Sequence, residues 1–306
     1  MWLAESKFEC PQNLLDKTRR LPRARVAIVC AQSVPVIESI QQAVAEDIIE
    51  PVLIGQPDQI RELALSVGLD IAKYHTIPAD DVHQAVQHAT SLVNNGEADF
   101  IMKGHIHTDD FLRGLINKET GIRGEGYMTH TFYLTVPGSD KPLMITDAAI
   151  HVAPDEKALK SIVTNAVRLA QKLGIARPKV ALLSASETPS EAVPSSMIAE
   201  ILANWAEQYL DNLDICGPLA IDVAISEKAA SVKGIDHPVA GAADILVVPQ
   251  LETGNALFKA LVYYKGACAA GIVMGAKVPV VLTSRADPPE ARLASIAIAS
   301  ILSANA

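Results

Sequence analysis

Several apolar runs in this chain end in small, charged and hydroxylated residues. After residues 98–102 come Lys103, Gly104, His105, His107 and Thr108, with Arg113 one to two turns further on. Asp147 follows the run that closes near Thr146. Glu252, Thr253, Gly254 and Asn255 follow 243–249, with Lys259 one turn beyond. Ser284, Arg285 and Asp287 follow 278–283, in the stretch "LTSRADPPEA". In an open α/β sheet, ligands bind beyond the carboxyl ends of the strands. A helix starting there adds free N–H groups and a partial positive charge, which suits a phosphate. Lys103, Arg113, Arg123, Lys259 and Arg285 contribute full charges. In a chain whose net charge is −9, five cations gathered at strand ends point to an anionic ligand.

Each of these residues also has a plainer reading. Asn255 and Ser284 could be N-caps. Arg285 could pair with Asp287 or Glu290, while Lys259 and Arg113 could be solvated helix charges. His105 and His107 sit two apart and could share one face of a strand, but a third zinc ligand is not apparent. The glycines of "VKGIDHPVAGAAD" do not form a dinucleotide fingerprint. Ser184 and Ser186 lack the flanking glycines of a nucleophile elbow.

The elements that must position these residues alternate. Residues 25–31 read as a buried strand, 34–45 as a helix, 50–55 as a strand, 56–67 as a helix, 73–78 as a weaker strand, 80–93 as a helix and 98–104 as a strand. A polar leader helix precedes them. This order predicts an α/β fold built on a parallel sheet. It breaks at 126–136 and 142–149, two consecutive β-like runs that predict an antiparallel pair or a crossing between domains. Alternation then resumes: helix 155–173, strand 178–185, helix 195–210, strand 243–249, helix 254–270, strand 278–284 and a closing helix 288–302.

Composition narrows the function. The 306 residues suffice for two domains, and 49% are hydrophobic but only 4% aromatic, which favours Ala-, Val-, Leu- and Ile-rich helices on a parallel sheet. The acidic balance argues against a nucleic-acid partner. Cys10, Cys30, Cys216 and Cys268 lack metal-ligand spacing and read as reduced thiols of a cytoplasmic protein. The start is no signal peptide, and the longest apolar stretch, from Ala267, meets Lys277 before it could span a bilayer. A soluble protein with no membrane partner is expected.

Three stretches, 217–235, 237–264 and 275–291, closely resemble the phosphate acetyltransferase and phosphate butyryltransferase family; "MKGHIHTDDFLRGLINKETGIR", 102–123, and "MITDAAIHVAP", 144–154, fit as well. The joint occurrence of "GN…K" and "SRAD" carries the match, and the style of "MKG" and "VLTSRAD" is closer to the butyryltransferase branch. A similar domain forms the acyltransferase half of bifunctional proteins with an enoyl-CoA hydratase domain in front; the ~25 residues before the first strand are too few for such a domain.

The resemblance implies two α/β domains with a central cleft, an architecture like that of isocitrate dehydrogenase. It implies a first domain over 1–147 and 275–306, a second over 148–274, and a homo-oligomer, a dimer or larger. It implies acyl-CoA and phosphate as substrates, with coenzyme A arriving as a substrate and no cofactor bound permanently. Written as CoA thiolate attacking an acyl phosphate, the reaction needs a base, an oxyanion donor and cations on the phosphate. By the resemblance, Ser284 and Arg285 match the family's catalytic pair: the hydroxyl on thiol or carbonyl oxygen, the guanidinium on phosphate. Thr108 and Arg113 match its "T…R" helix, Gly254 and Asn255 its Gly-Asn, and Lys259 its lysine; Lys103, Gly104 and Arg123 match the butyryltransferase pattern.

Two departures stand out. Seven residues after the serine, where acetyltransferases carry the proposed base, this chain has Ala291, which leaves Asp287 as a candidate or the thiolate held by cations alone. Ala148 stands where many acetyltransferases carry a cysteine. Two other readings remain: an NAD-dependent decarboxylating dehydrogenase of related fold, and a non-catalytic binder of CoA or acyl phosphate.

Overall fold

A computed structural model describes residues 9–284 and 287–304. Contacts divide them into two compact units, 9–128 with 270–304, and 129–269.

The first unit opens with α1 (Gln12–Thr18), β1 (Ala24–Val29), α2 (Val34–Ala45), β2 (Ile49–Gly55) and α3 (Pro57–Val67). It continues with β3 (His75–Pro78), α4 (Val82–Asn94), β4 (Phe100–Lys103) and α5 (Thr108–Leu115). β1 and β4 are buried along almost their whole length, as strands covered on both faces must be. Sequence chemistry sets the helix ends. Pro35 and Pro57 lie in first turns, where a missing N–H costs nothing. Asp81 caps α4 by accepting the Gln84 amide at 2.8 Å, and Gly68 stops α3 in the left-handed conformation.

The second unit contains β5 (Thr129–Thr135), β6 (Leu143–Thr146), α6 (Glu156–Lys172), β7 (Lys179–Leu183) and α7 (Pro194–Tyr209). β8 (Asp214–Leu219), α8 (Ile221–Ile225), α9 (Glu227–Val232), β9 (Ile245–Val247) and α10 (Leu251–Lys265) complete it. The strands run in the order β5-β6-β9-β7-β8, with β5 and β6 antiparallel and the rest parallel. α10 is anchored by Phe258, stacked on Phe132 at 3.9 Å between ring centroids.

The chain then gives β10 (Cys268–Met274), β11 (Val280–Val281) and α11 (Pro289–Ala304). In the first unit the order is β3-β2-β1-β4-β11-β10, parallel except for the β11–β10 pair.

The mixed α/β class and the antiparallel pair at 129–146 agree with the sequence reading; four details differ. The units exchange at 128/129 and 269/270 rather than at 147/148 and 274/275, because β6 pairs with both β5 and β9 and so carries 129–146 into the middle segment. The helix expected over 254–270 is α10, ended at Gly266 by a left-handed turn (φ 66°), and the residues after it form β10. β8 has no counterpart in the sequence reading; Pro218 disguises it and is tolerated because β8 is the last strand in its order. The strand expected over 278–284 has only two ladder residues, 280–281.

Candidate functional site

The site is built where β1 and β4 end. At that level the Gly104 amide donates to the Val29 carbonyl at 2.8 Å, and the His105 amide to the Cys30 carbonyl at 2.7 Å. The chain leaving β4 is thereby stitched to the end of β1. A β-carbon on Gly104 would lie under 3.0 Å from both carbonyl oxygens, so the crossing admits only glycine. The stitch aims Lys103, the last residue of β4 and 5% exposed, into a cavity of about 190 Å³. Ser33 at the N-terminus of α2, Gly104, His105, Ser284 and Arg292 also line it.

Burial pushes the nearby Cys30 thiol up to about 11, against the opposing field of Lys103. The thiol is therefore un-ionised at neutral pH and a poor nucleophile.

The other wall is the turn between β11 and α11. The Ser284 amide donates to Asp287 Oδ2 at 2.6 Å, and the Asp287 amide returns to the Ser284 carbonyl at 3.3 Å. Ser284 itself is exposed at the cavity wall. Burial raises the Asp287 carboxyl above the ordinary value; the Ser284 N–H, Arg292 and Lys103 oppose that shift. Arg285, expected to hold phosphate, lies outside the described residues.

The raised carboxyl has a measurable consequence. Between the ordinary value of 3.8 and its own raised value, Asp287 binds its proton more tightly in the folded than in the unfolded chain. Its contribution to stability is therefore present at low pH and lost as pH rises through that window. Asp287→Asn is expected to flatten this slope. Urea midpoints of parent and variant between pH 4 and pH 7 provide the check; parallel curves would contradict it.

The remaining expected residues lie on other elements. Thr108 opens α5, and Arg113, later in that helix, is 77% exposed and pairs with Asp110 at 3.4 Å. Arg123 is exposed and donates Nε to the Ile116 carbonyl, which ties it to its own loop. Gly254, Asn255 and Lys259 belong to α10, which begins at Leu251, so Asn255 lies inside the helix rather than at its cap. Gly254 is buried, and a β-carbon there would meet the Ala148 side chain at 2.8 Å. Asn255 is half-buried and Lys259 exposed. Asp147, buried at the end of β6, accepts the amides of His130, Ala149 and Ile150 at 2.9–3.0 Å, which makes it a structural acceptor.

His105 and His107 are both exposed, and among the described residues no group of three His, Cys, Asp or Glu is placed to hold a metal. Among the same residues no helix is long and apolar enough to cross a membrane.

Arg292 escaped the sequence reading. It sits in the first turn of α11, is 4% exposed, and donates Nη2 to the Ser284 carbonyl at 3.0 Å and Nε to the Asp287 carbonyl at 3.2 Å. The available signal was a cation in the first turn of a helix with no other cation, where the helix dipole disfavours it.

Comparison with known proteins gives a consistent result. A family described as "Phosphate acetyl/butaryl transferase" matches residues 78–300. The phosphate butyryltransferase of Clostridium acetobutylicum is 37% identical over 293 residues, covering 95% of this chain and 97% of that protein. The phosphate acetyltransferase of Rhizobium meliloti is 42% identical over 264 residues, covering 86% and 84%. Among solved structures, a branched-chain phosphotransacylase from Enterococcus faecalis V583 superposes with a TM-score of 0.78 at 30% identity, covering 91% of this chain and 99% of that one.

Proposed function

The chain belongs to the phosphate acetyl/butyryltransferase family, and on that premise we propose that it transfers a short acyl group, acetyl to butyryl, reversibly between CoA and inorganic phosphate. The observation that carries the reading is the cavity at the end of β4, where a buried lysine and a buried arginine meet the exposed Ser284 in an otherwise acidic protein. Such a site attracts a small anion, and its low-dielectric walls strengthen each contact.

In the direction of acyl-CoA synthesis, the CoA thiolate attacks the carbonyl carbon of the acyl phosphate. The carbonyl oxygen takes up negative charge, the C–O bond to phosphate breaks, and phosphate leaves as the anion. The Ser284 hydroxyl donates to the thiolate or to the carbonyl oxygen. Lys103 and Arg285 hold the phosphate, with Thr108 and Arg113 beyond β4 as further ligands. Gly254, Asn255 and Lys259 serve CoA or phosphate from α10. Asp287 is the candidate base: its raised proton affinity suits it to accept the thiol proton, and its bond to the Ser284 amide keeps it beside the serine.

The experiment is a panel of acetyl-, propionyl- and butyryl-CoA with phosphate, followed by release of the free CoA thiol. Turnover with at least one acyl-CoA is expected. Binding of CoA without turnover would favour a non-catalytic sensor, and no turnover with any would sink the proposal. Arg285→Gln is expected to slow turnover by roughly 10²-fold, as for other lost transition-state contacts. Parental activity in that variant would remove Arg285 from the phosphate site.

A further inference from the structure

We propose that Arg292 is a positioning residue: its buried guanidinium clamps both ends of the turn that carries Ser284 and so sets the rate of acyl transfer, a role that rests on the reading above. Four bonds among the described residues tie the turn, and two of them come from this one side chain. Nη2 reaches the Ser284 carbonyl at 3.0 Å and Nε the Asp287 carbonyl at 3.2 Å, while the Ser284 amide reaches Asp287 Oδ2 at 2.6 Å and the Asp287 amide the Ser284 carbonyl at 3.3 Å. The planar fork of arginine spans two acceptors at fixed separation, and an ammonium does not reproduce that geometry. A side chain 4% exposed, held to backbone oxygens on one side and lining the cavity on the other, transmits any change in its own position to Ser284.

Location supports the same assignment. A cation in the first turn of α11 opposes the helix dipole, and burial lowers its proton affinity further; Asp287 on the turn and Glu38 on α2 act against that burial. A residue kept at this cost has a partner that needs it, and here the partners are the carbonyls of the catalytic turn. Asp287 in its turn faces Arg292 from α11, Lys103 from β4 and the Ser284 N–H, so Arg292 also holds down the proton affinity of the candidate base.

Two variants separate geometry from charge. Arg292→Lys keeps the charge and loses the fork. Its kcat is expected to fall about 10- to 100-fold with KM for acyl-CoA near the parental value, as small misplacements of reacting groups do. Its acidic pH limb is expected to stay in place. Arg292→Met loses both, and its acidic limb is expected to move to higher pH because Asp287 has lost a neighbouring cation.

Amide exchange at Ser284 and Asp287, followed by NMR in the full chain, reads the clamp without reference to activity. Both amides are expected to exchange at least ~10-fold faster in Arg292→Lys, through local opening of the turn. Parental kcat in Arg292→Lys, or unchanged exchange at both amides, overturns the proposal. An inactive parent whose amides nevertheless respond to Arg292→Lys would overturn the acyl-transfer reading while leaving the clamp intact.

Discussion

Lys103→Met is expected to lower kcat/KM for phosphate by roughly 10²-fold, as the loss of a charge aimed at a reacting anion does. Lys103 ends β4 nearly buried and borders the cavity, so water does little to screen its charge. Its field already reaches two neighbours, where it opposes the upward shifts of the Cys30 thiol and the Asp287 carboxyl. A phosphate entering the cavity would meet the same field. Methionine keeps much of the length of the aliphatic stem, so packing along β4 survives and the loss falls on the anion. Initial rates across a phosphate series, with a urea midpoint to confirm the fold, test this. Lys103→Arg should recover part of the loss, since charge is restored with a different shape. An unchanged kcat/KM for phosphate in Lys103→Met would show that the anion sits elsewhere.

The placement of Lys103 and Ser284 was legible in the sequence for a simple reason. Both follow short apolar runs, and strands of an open α/β sheet present whatever follows their carboxyl ends to ligand. The same rule could not tell how each cation is held. Arg123 has the charge and the spacing, and in the fold it is exposed with Nε donating to the Ile116 carbonyl. Arg292 was invisible for the complementary reason: it donates to two main-chain carbonyls, which leave no trace in residue types.

In the fold, periodicity identified elements with strong patterns, such as β1 and α6. It failed where a helix hands over to a strand in "KGACAAGIVMG", because small residues suit either state. There the decision rests with Gly266, which closes α10 in the left-handed region and frees Cys268–Met274 to pair. Asp287 illustrates a third limit. Its type and its distance from Ser284 make it a candidate base, and its bond from the Ser284 amide depends on a turn the residue types do not specify.

Gly104→Ala is expected to destabilise the protein by about 3 kcal/mol, at the upper end of ordinary overpacking costs, and to abolish most activity in the fraction that folds. The added carbon would collide with the carbonyl oxygens of Val29 and Cys30, all of it backbone. Neither carbonyl is free to retreat, since one accepts the Gly104 amide and the other the His105 amide. Val29 is moreover in register with Lys103 across the β1–β4 ladder, so relief at Gly104 pulls on the residue that lines the cavity. Gly254→Ala offers a contrast within the same chain. Its added carbon would meet the Ala148 β-carbon at 2.8 Å and the Val248 side chain at 3.0 Å, less closely than the two carbonyl oxygens at 2.3 Å, and the better helix propensity of alanine inside α10 offsets part of that strain, so a cost nearer 1 kcal/mol is expected. Urea unfolding of the two variants beside the parent measures both. Equal costs would mean that the β1–β4 crossing relaxes as easily as a side-chain contact, and the rigid seat assigned to Lys103 would have to be given up.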